Sequence, residues 1–182
     1  MTGPKSSPKE GLVVLTVGHS TRPLEEFIGL LQAHGVTLLA DVRTVPRSRR
    51  NPQFNRETLP GSLAAAGIGY RHVPGLGGLR RPRPDSRNLA WENEGFRGFA
   101  DYMGTPEFEA ALDELLELAS RERVAIMCAE SVPWRCHRSL IADALVARGV
   151  AVEHILGPAR RQPHTLTRFA RVEGGRVSYP AT

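Results

Sequence analysis

Two kinds of apolar pattern alternate along this chain. Leu12–Val17 and Val36–Val42 are largely apolar runs, the pattern of strands buried on both faces. Between them, Leu24, Phe27, Ile28, Leu30 and Leu31 recur at helical spacing. Thr21, Pro23, Glu25 and Glu26 suit the start of that helix, and Gly35 suits its end. Glu57–Ala66 predicts a short helix that Pro60-Gly61 weakens, and Gly69–Val73 predicts a third strand. Pro74–Asn93 is a long irregular stretch rich in glycine, proline and arginine, a length that usually marks a functional or mobile loop. A helix over Phe96–Met103 follows, and Thr105-Pro106-Glu107 opens another, with Phe108, Ala111, Leu112, Leu115 and Leu118 inward. Arg123–Cys128 and Val150–Leu156 predict strands on either side of a helix over Cys136–Arg148, which Gly149 ends. Phe169–Val172 and Arg176–Tyr179, joined by Glu173-Gly174-Gly175, predict a small C-terminal hairpin.

Strands alternating with helices imply an α/β fold: a mainly parallel sheet of about five strands with helices on both faces. The organisation expected is a flexible polar leader over residues 1–11 and one domain over 12–182. In such sheets, ligands bind beyond the carboxyl ends of the strands. Gly18-His19-Ser20, Asp41-Val42-Arg43, Pro74–Gly78 and Cys128-Ala129-Glu130 all fall at those ends.

Composition narrows the classes. The 182 residues are 41% hydrophobic, which suits a globular core, and no apolar run is long enough to span a bilayer. Met1–Gly11 lacks the apolar centre of a signal peptide, so a cytoplasmic location is expected. Two cysteines cannot build a disulfide framework. The net charge is +5, and apart from Lys5 and Lys9 the positive residues are all arginine. Arginine suits planar binding of phosphate or carboxylate, although a coding bias toward arginine gives the same composition.

The most informative segment runs from Cys128 to Arg138. A cysteine leaves a buried strand, and a loop bearing Glu130 and Arg135 feeds a helix start at Cys136-His137-Arg138. Free backbone N–H groups at such a start favour anions and lower thiol pKa values. The segment fits a nucleophilic Cys128 with Arg135 and Arg138 as an anion cradle, and equally two inert packed cysteines. His19 fits an acid–base group, a metal ligand or a structural histidine, with Ser20 beside it. Asp41 and Arg43 alternate, so they point to one side, either as an internal ion pair or with Arg43 gripping an anion. A metal held by His19, Cys128, Cys136 and His137 is a weaker reading, because this spacing matches no common structural zinc pattern. The cofactor is left open.

Arginines at 47, 49 and 50, and at 80, 81, 83 and 87, fit either a solvated basic surface or contacts to a phosphate backbone. Only Phe54 and Trp91 stand near them for base stacking. The expected partner is therefore a small anionic or nucleotide-like ligand, with nucleic acid as the alternative. No membrane partner is expected, and oligomeric state is open.

These residues also carry a family resemblance. Gly18-His19-Ser20, Asp41-Val42-Arg43, Pro46 with Ser48, Phe54, Tyr70, Leu76-Gly77-Gly78, Cys128-Ala129-Glu130 and Cys136-His137-Arg138 resemble the bacterial and archaeal family named Domain of Unknown Function 488. They follow the family's order over roughly residues 14–156. The resemblance implies a compact α/β protein and no particular activity. More loosely, Leu38–Arg43 is similar to the rhodanese strand ending in Asp-Val-Arg, and Val124–Cys128 with the loop and helix after it is similar to the rhodanese cysteine half. That likeness implies a sulfur-carrying position for Cys128. The loop here is longer and holds Pro133 and Trp134, the latter where a cysteine phosphatase has arginine.

Overall fold

The computed structural model describes residues 11–181. All but one residue of the expected leader, and Thr182, lie outside that range. In chain order the elements are β1 (Val13–Gly18), α1 (Leu24–Ala33), β2 (Leu38–Asp41), α2 (Leu59–Ala65) and β3 (Gly69–His72). Then come α3 (Glu94–Tyr102), α4 (Pro106–Arg121), β4 (Val124–Cys128), α5 (Arg138–Ala147) and β5 (Ala151–Gly157). β6 (Arg160–Pro163), β7 (Arg171–Glu173) and β8 (Arg176–Ser178) complete the set.

Among the described residues the main sheet has six strands in the order β3-β2-β4-β1-β5-β6, and β7 pairs with β8 as a separate antiparallel hairpin. Every neighbouring pair in the main sheet is parallel except β5 with β6. The fold is α/β, as the alternating pattern implies. The added strand, β6, was not expected, and it turns back antiparallel along the outer edge of β5.

Helices cover both faces because successive strand residues point to opposite sides. Leu15, Val17, Leu39, Ala125 and Met127 pack against Phe27, Leu30 and Leu31 of α1 and Leu59 and Leu63 of α2. Val14, Ala40, Val124 and Ile126 face the other way, onto Phe99 of α3, Leu112 and Leu115 of α4, and Leu140 and Ile141 of α5. α4 opens as its sequence implies, with Thr105 Oγ1 accepting from the Phe108 N–H at 3.3 Å. Pro60 is tolerated in α2 because it sits in the first turn, where a missing N–H costs no helical bond.

The register brings the strand ends level. Gly18 lies opposite Cys128, and Asp41 lies between Met127 on one side and His72 on the other. Chemistry carried just beyond these four strands therefore collects on one rim. No helix among the described residues is long and apolar enough to cross a membrane.

Candidate functional site at the strand carboxyl ends

The β1 and β4 ends are tied together beyond the sheet proper. His19 N–H donates to Cys128 O at 3.0 Å, and Ser20 N–H donates to Ala129 O at 2.9 Å. Gly18 permits this approach, since a Cβ there would stand 1.9 Å from Glu130 O. Ser20 then turns with a left-handed backbone, φ 49°. Residues more than a hundred positions apart are thus fixed side by side.

Asp41 and Arg43 form the internal ion pair. Arg43 Nε donates to Asp41 Oδ1 at 2.9 Å and Nη2 to Oδ2 at 2.7 Å, with both side chains buried. Arg43 Nη2 also donates to Phe54 O at 2.7 Å, and Tyr70 O–H donates to Asp41 Oδ2 at 2.5 Å. Burial first, and then the Asp41 bond, raise the Tyr70 phenol far above its ordinary value. What Arg43 has left is Nη1, 3.5 Å from His19 Nε2.

A carbonyl can only accept, so His19 Nδ1–H donates to Ser20 O at 2.8 Å and Nε2 keeps its lone pair. The ring stacks on Phe54 with centroids 4.4 Å apart. Burial lowers the His19 pKa, and nearby Arg43 adds to this against the Ser20 bond. At neutral pH His19 is therefore a proton acceptor in this setting, with no spare proton to give.

Cys128 and Cys136 are both free and buried, and each shifts the titration of the other. Burial pushes the Cys128 thiol up, but the Cys136 bond, the Arg138 charge and a Glu130 backbone bond together bring it below its ordinary value. Cys136 moves the other way, its proton held by the bond to Cys128 and by burial. The pair therefore holds its one easily lost proton on Cys128. Neutral Cys128 has Glu130 O as an acceptor at 3.4 Å.

Arg138 is fully buried, and its guanidinium does not line the cavity at the rim. Nη2 donates to Ser131 O at 2.8 Å and Nη1 to Thr16 Oγ1 at 3.4 Å, while Nε has no partner. The start of α5 is likewise turned onto Cys136: Arg138 N–H reaches its sulfur at 3.5 Å and Ser139 N–H its carbonyl at 3.0 Å. Arg138 therefore does not face the cavity as the expected anion cradle would: its guanidinium bonds Thr16 and Ser131, and the first N–H groups of α5 bond Cys136.

His137 serves as a tie. Its Nε2–H faces Val42 O and Leu76 O, each at 3.0 Å, and its Nδ1 lies 3.5 Å from Cys136 Sγ. Burial lowers its pKa to about 4. Gly78 makes room for the ring, since a Cβ there would be 2.6 Å from Nδ1.

These groups open onto a cavity of about 650 Å³, within the range of small-ligand sites. Its lining includes His19, Ser20, Arg43, Cys128, Glu130, Arg135, Cys136 and His137, with Arg47 and Arg50 from the loop after β2. Of the candidate catalytic and substrate-binding residues named from the sequence, Asp41 and Arg138 alone are not in this lining. Tyr70 as a partner of Asp41, and Thr16 and Ser131 as partners of Arg138, were not foreseen as site residues. The one signal for Thr16 is that it is the only polar position in an otherwise apolar run. Among the described residues, no group of three or more His, Cys, Asp or Glu side chains is placed to hold a metal ion.

No curated protein and no solved structure matches this chain. The model of the family described as Domain of unknown function DUF488 matches residues 23–145, more than half of the chain, and the chain belongs to that family.

Proposed function

We propose that this protein is a cysteine-dependent transferase or hydrolase acting on a small anionic substrate, with Cys128 as its nucleophile. The observation that carries the reading is Arg138: a guanidinium with no exposure, no carboxylate partner among the described residues and an orphaned Nε, bonded to Ser131 O of the loop between the two cysteines. A buried charge is costly unless an opposite charge meets it, and the ionised Cys128 sulfur is the group in place to do so. Around that sulfur, the Arg43 Nη1 and the rim residues Arg47, Arg50 and Arg135 give the cavity a cationic wall. The Cys128 sulfur donates its electron pair to an electrophilic centre of the substrate and expels a leaving group. Water or a second acceptor then takes the transferred group and returns the thiolate. His19, whose Nε2 lone pair meets only the long 3.5 Å contact from Arg43 Nη1, accepts a proton from that incoming nucleophile, and Asp41 fixes Arg43. Glu130 and Ser20 border the path to the sulfur. Two free thiols at one site suit a reducing cytoplasm, and the whole span 12–182 is taken as one domain.

The nucleic-acid alternative has less behind it. Arg80 lies over the Tyr102 ring at 3.6 Å and bonds Gly77 O, and Arg83 pairs with Asp85. Those arginines serve the fold of the long loop rather than a phosphate track.

Protection of Cys128 from iodoacetamide tests the proposal. Inorganic phosphate, sulfate, thiosulfate and a nucleoside monophosphate are the probes, with mass spectrometry of the Cys128 peptide as the readout. At least one anion is expected to slow labelling by about tenfold at saturation, an occupancy effect that follows mass action. Labelling indifferent to all four would count against an anionic substrate.

A further inference from the structure

A chain of polar side chains, none of them in the lining of the cavity, leads away from Arg138. Asp143 of α5 is fully buried, and its Oδ1 lies 2.7 Å from His164 Nε2. His164 Nδ1 lies 2.8 Å from His154 Nε2, and His154 Nδ1 lies 2.5 Å from Thr16 Oγ1. Thr16 Oγ1 in turn receives Arg138 Nη1 at 3.4 Å. Thr167 N–H and Tyr179 O–H hold the far end, at 3.0 Å on Oδ1 and 2.7 Å on Oδ2 of Asp143.

With one proton on each imidazole, the carboxylate end sets the direction of every bond. A carboxylate only accepts, so His164 donates to Asp143, and each group before it donates toward Asp143 and accepts from its Arg138 side. Thr16 O–H then donates to His154 Nδ1, His154 Nε2–H to His164 Nδ1, and His164 Nε2–H to Asp143. One consequence reaches the site: with its proton committed to His154, Thr16 presents a lone pair to Arg138. A proton on His154 Nδ1 would reverse this, turning two donors onto Thr16 and placing a cation beside Arg138. Burial first, with the Arg138 charge adding to it, opposes that proton and holds His154 at about 3.

Resting on the thiolate reading above, we infer that Thr16, His154, His164 and Asp143 are positioning residues that act as one column: they hold the Arg138 guanidinium between Thr16 and the Ser131 carbonyl of the Cys128–Cys136 loop and so set how readily Cys128 loses its proton. The sulfur is also faced by Cys136 and Glu130, and across the cavity by His19 and Arg43. The column touches none of these four. Its histidines border a second cavity of about 450 Å³, whose wall includes Pro133 and Trp134 of the same loop that carries Arg135 into the main one.

Two substitutions at one position separate the column's arms. In His154→Asn the amide oxygen stands about where Nδ1 was and keeps an acceptor for Thr16. In His154→Gln the amide reaches toward His164 and the Thr16 acceptor is lost. The experiment is the pH profile of Cys128 alkylation by iodoacetamide on the full chain, with thermal melts alongside. The expected result is a midpoint raised by about one pH unit in His154→Gln and close to wild type in His154→Asn. Equal midpoints in all three proteins, or a shift in Asn as large as in Gln, would overturn the column. A wild-type midpoint at the ordinary free-thiol value would instead remove the thiolate reading, and the column with it. Thr16→Val and Thr16→Ser repeat the contrast should a His154 variant fail to fold: Val is expected to raise the midpoint and Ser to preserve it, and no difference between them overturns the inference.

Discussion

Asp41 and Arg43 were legible as neighbours because alternate strand residues share a side, and the structure makes them a two-bonded ion pair. Tyr70 was not legible as their third member. Nothing local in Gly69–His72 tells that β3 lies beside β2 with a phenol in reach of Asp41. His154 is a stronger case. In sequence it interrupts an apolar strand, and its partners Thr16 and His164 become visible only once β1 and β6 flank β5. The buried histidines have a measurable consequence. His137 and His154 fall from the ordinary 6.5 to about 4 and about 3 on folding. Below about pH 6.5 the unfolded chain thus binds protons that the fold refuses, so their contribution is fully present above 6.5 and is lost as pH falls toward 3 to 4. Melting temperature is expected to drop by several degrees from about pH 7 to about pH 5. A Tm that stays level or rises on acidification would contradict the neutral placement of these rings.

At the level of elements, the helices and inner strands were the readable part, because burial on two faces or one leaves a periodicity in the chain. The hairpin was readable from Glu173-Gly174-Gly175, where both glycines do take positive φ, 58° and 77°. β6 was not. Arg160-Arg161-Gln162-Pro163 is exposed throughout, so neither burial nor alternation marks it, and only pairing to the edge of β5 makes it a strand. Its proline and arginines are the composition an edge strand tolerates. The loop between β4 and α5 was placed correctly, yet its chemistry was only half visible. That a cysteine and an arginine are near in sequence does not say whether the guanidinium faces the cavity or lies behind the sulfur. The junction of β1 with this loop can be probed directly. Gly18→Ala would drive a methyl into the Glu130 backbone, which cannot move as a side-chain end could. We expect a loss of about 2–3 kcal/mol in urea denaturation, together with slower Cys128 alkylation. A variant as stable and as reactive as wild type would show that the two strand ends are not held together as described.

Across the whole molecule, the positive charge divides by use. Arg138 and Arg43 are interior, Arg80 and Arg83 are engaged within their own loop, and Arg47, Arg50 and Arg135 stand at the cavity. A net charge of +5 thus says less than its placement, since the part facing a cavity is what a small anion would meet. The sheet supplies that placement by levelling four strand ends on one rim, which is why the convergence of these residues could be read before any of their contacts. The direct trial of the account is the protonation state of Cys128. Thiolate absorbance followed against pH in the wild-type protein, with Cys128→Ser as the blank, gives its titration on the intact fold. We predict a midpoint clearly below the ordinary 9, with no matching titration in Cys128→Ser. A midpoint at or above 9, or an identical curve in the variant, would contradict it.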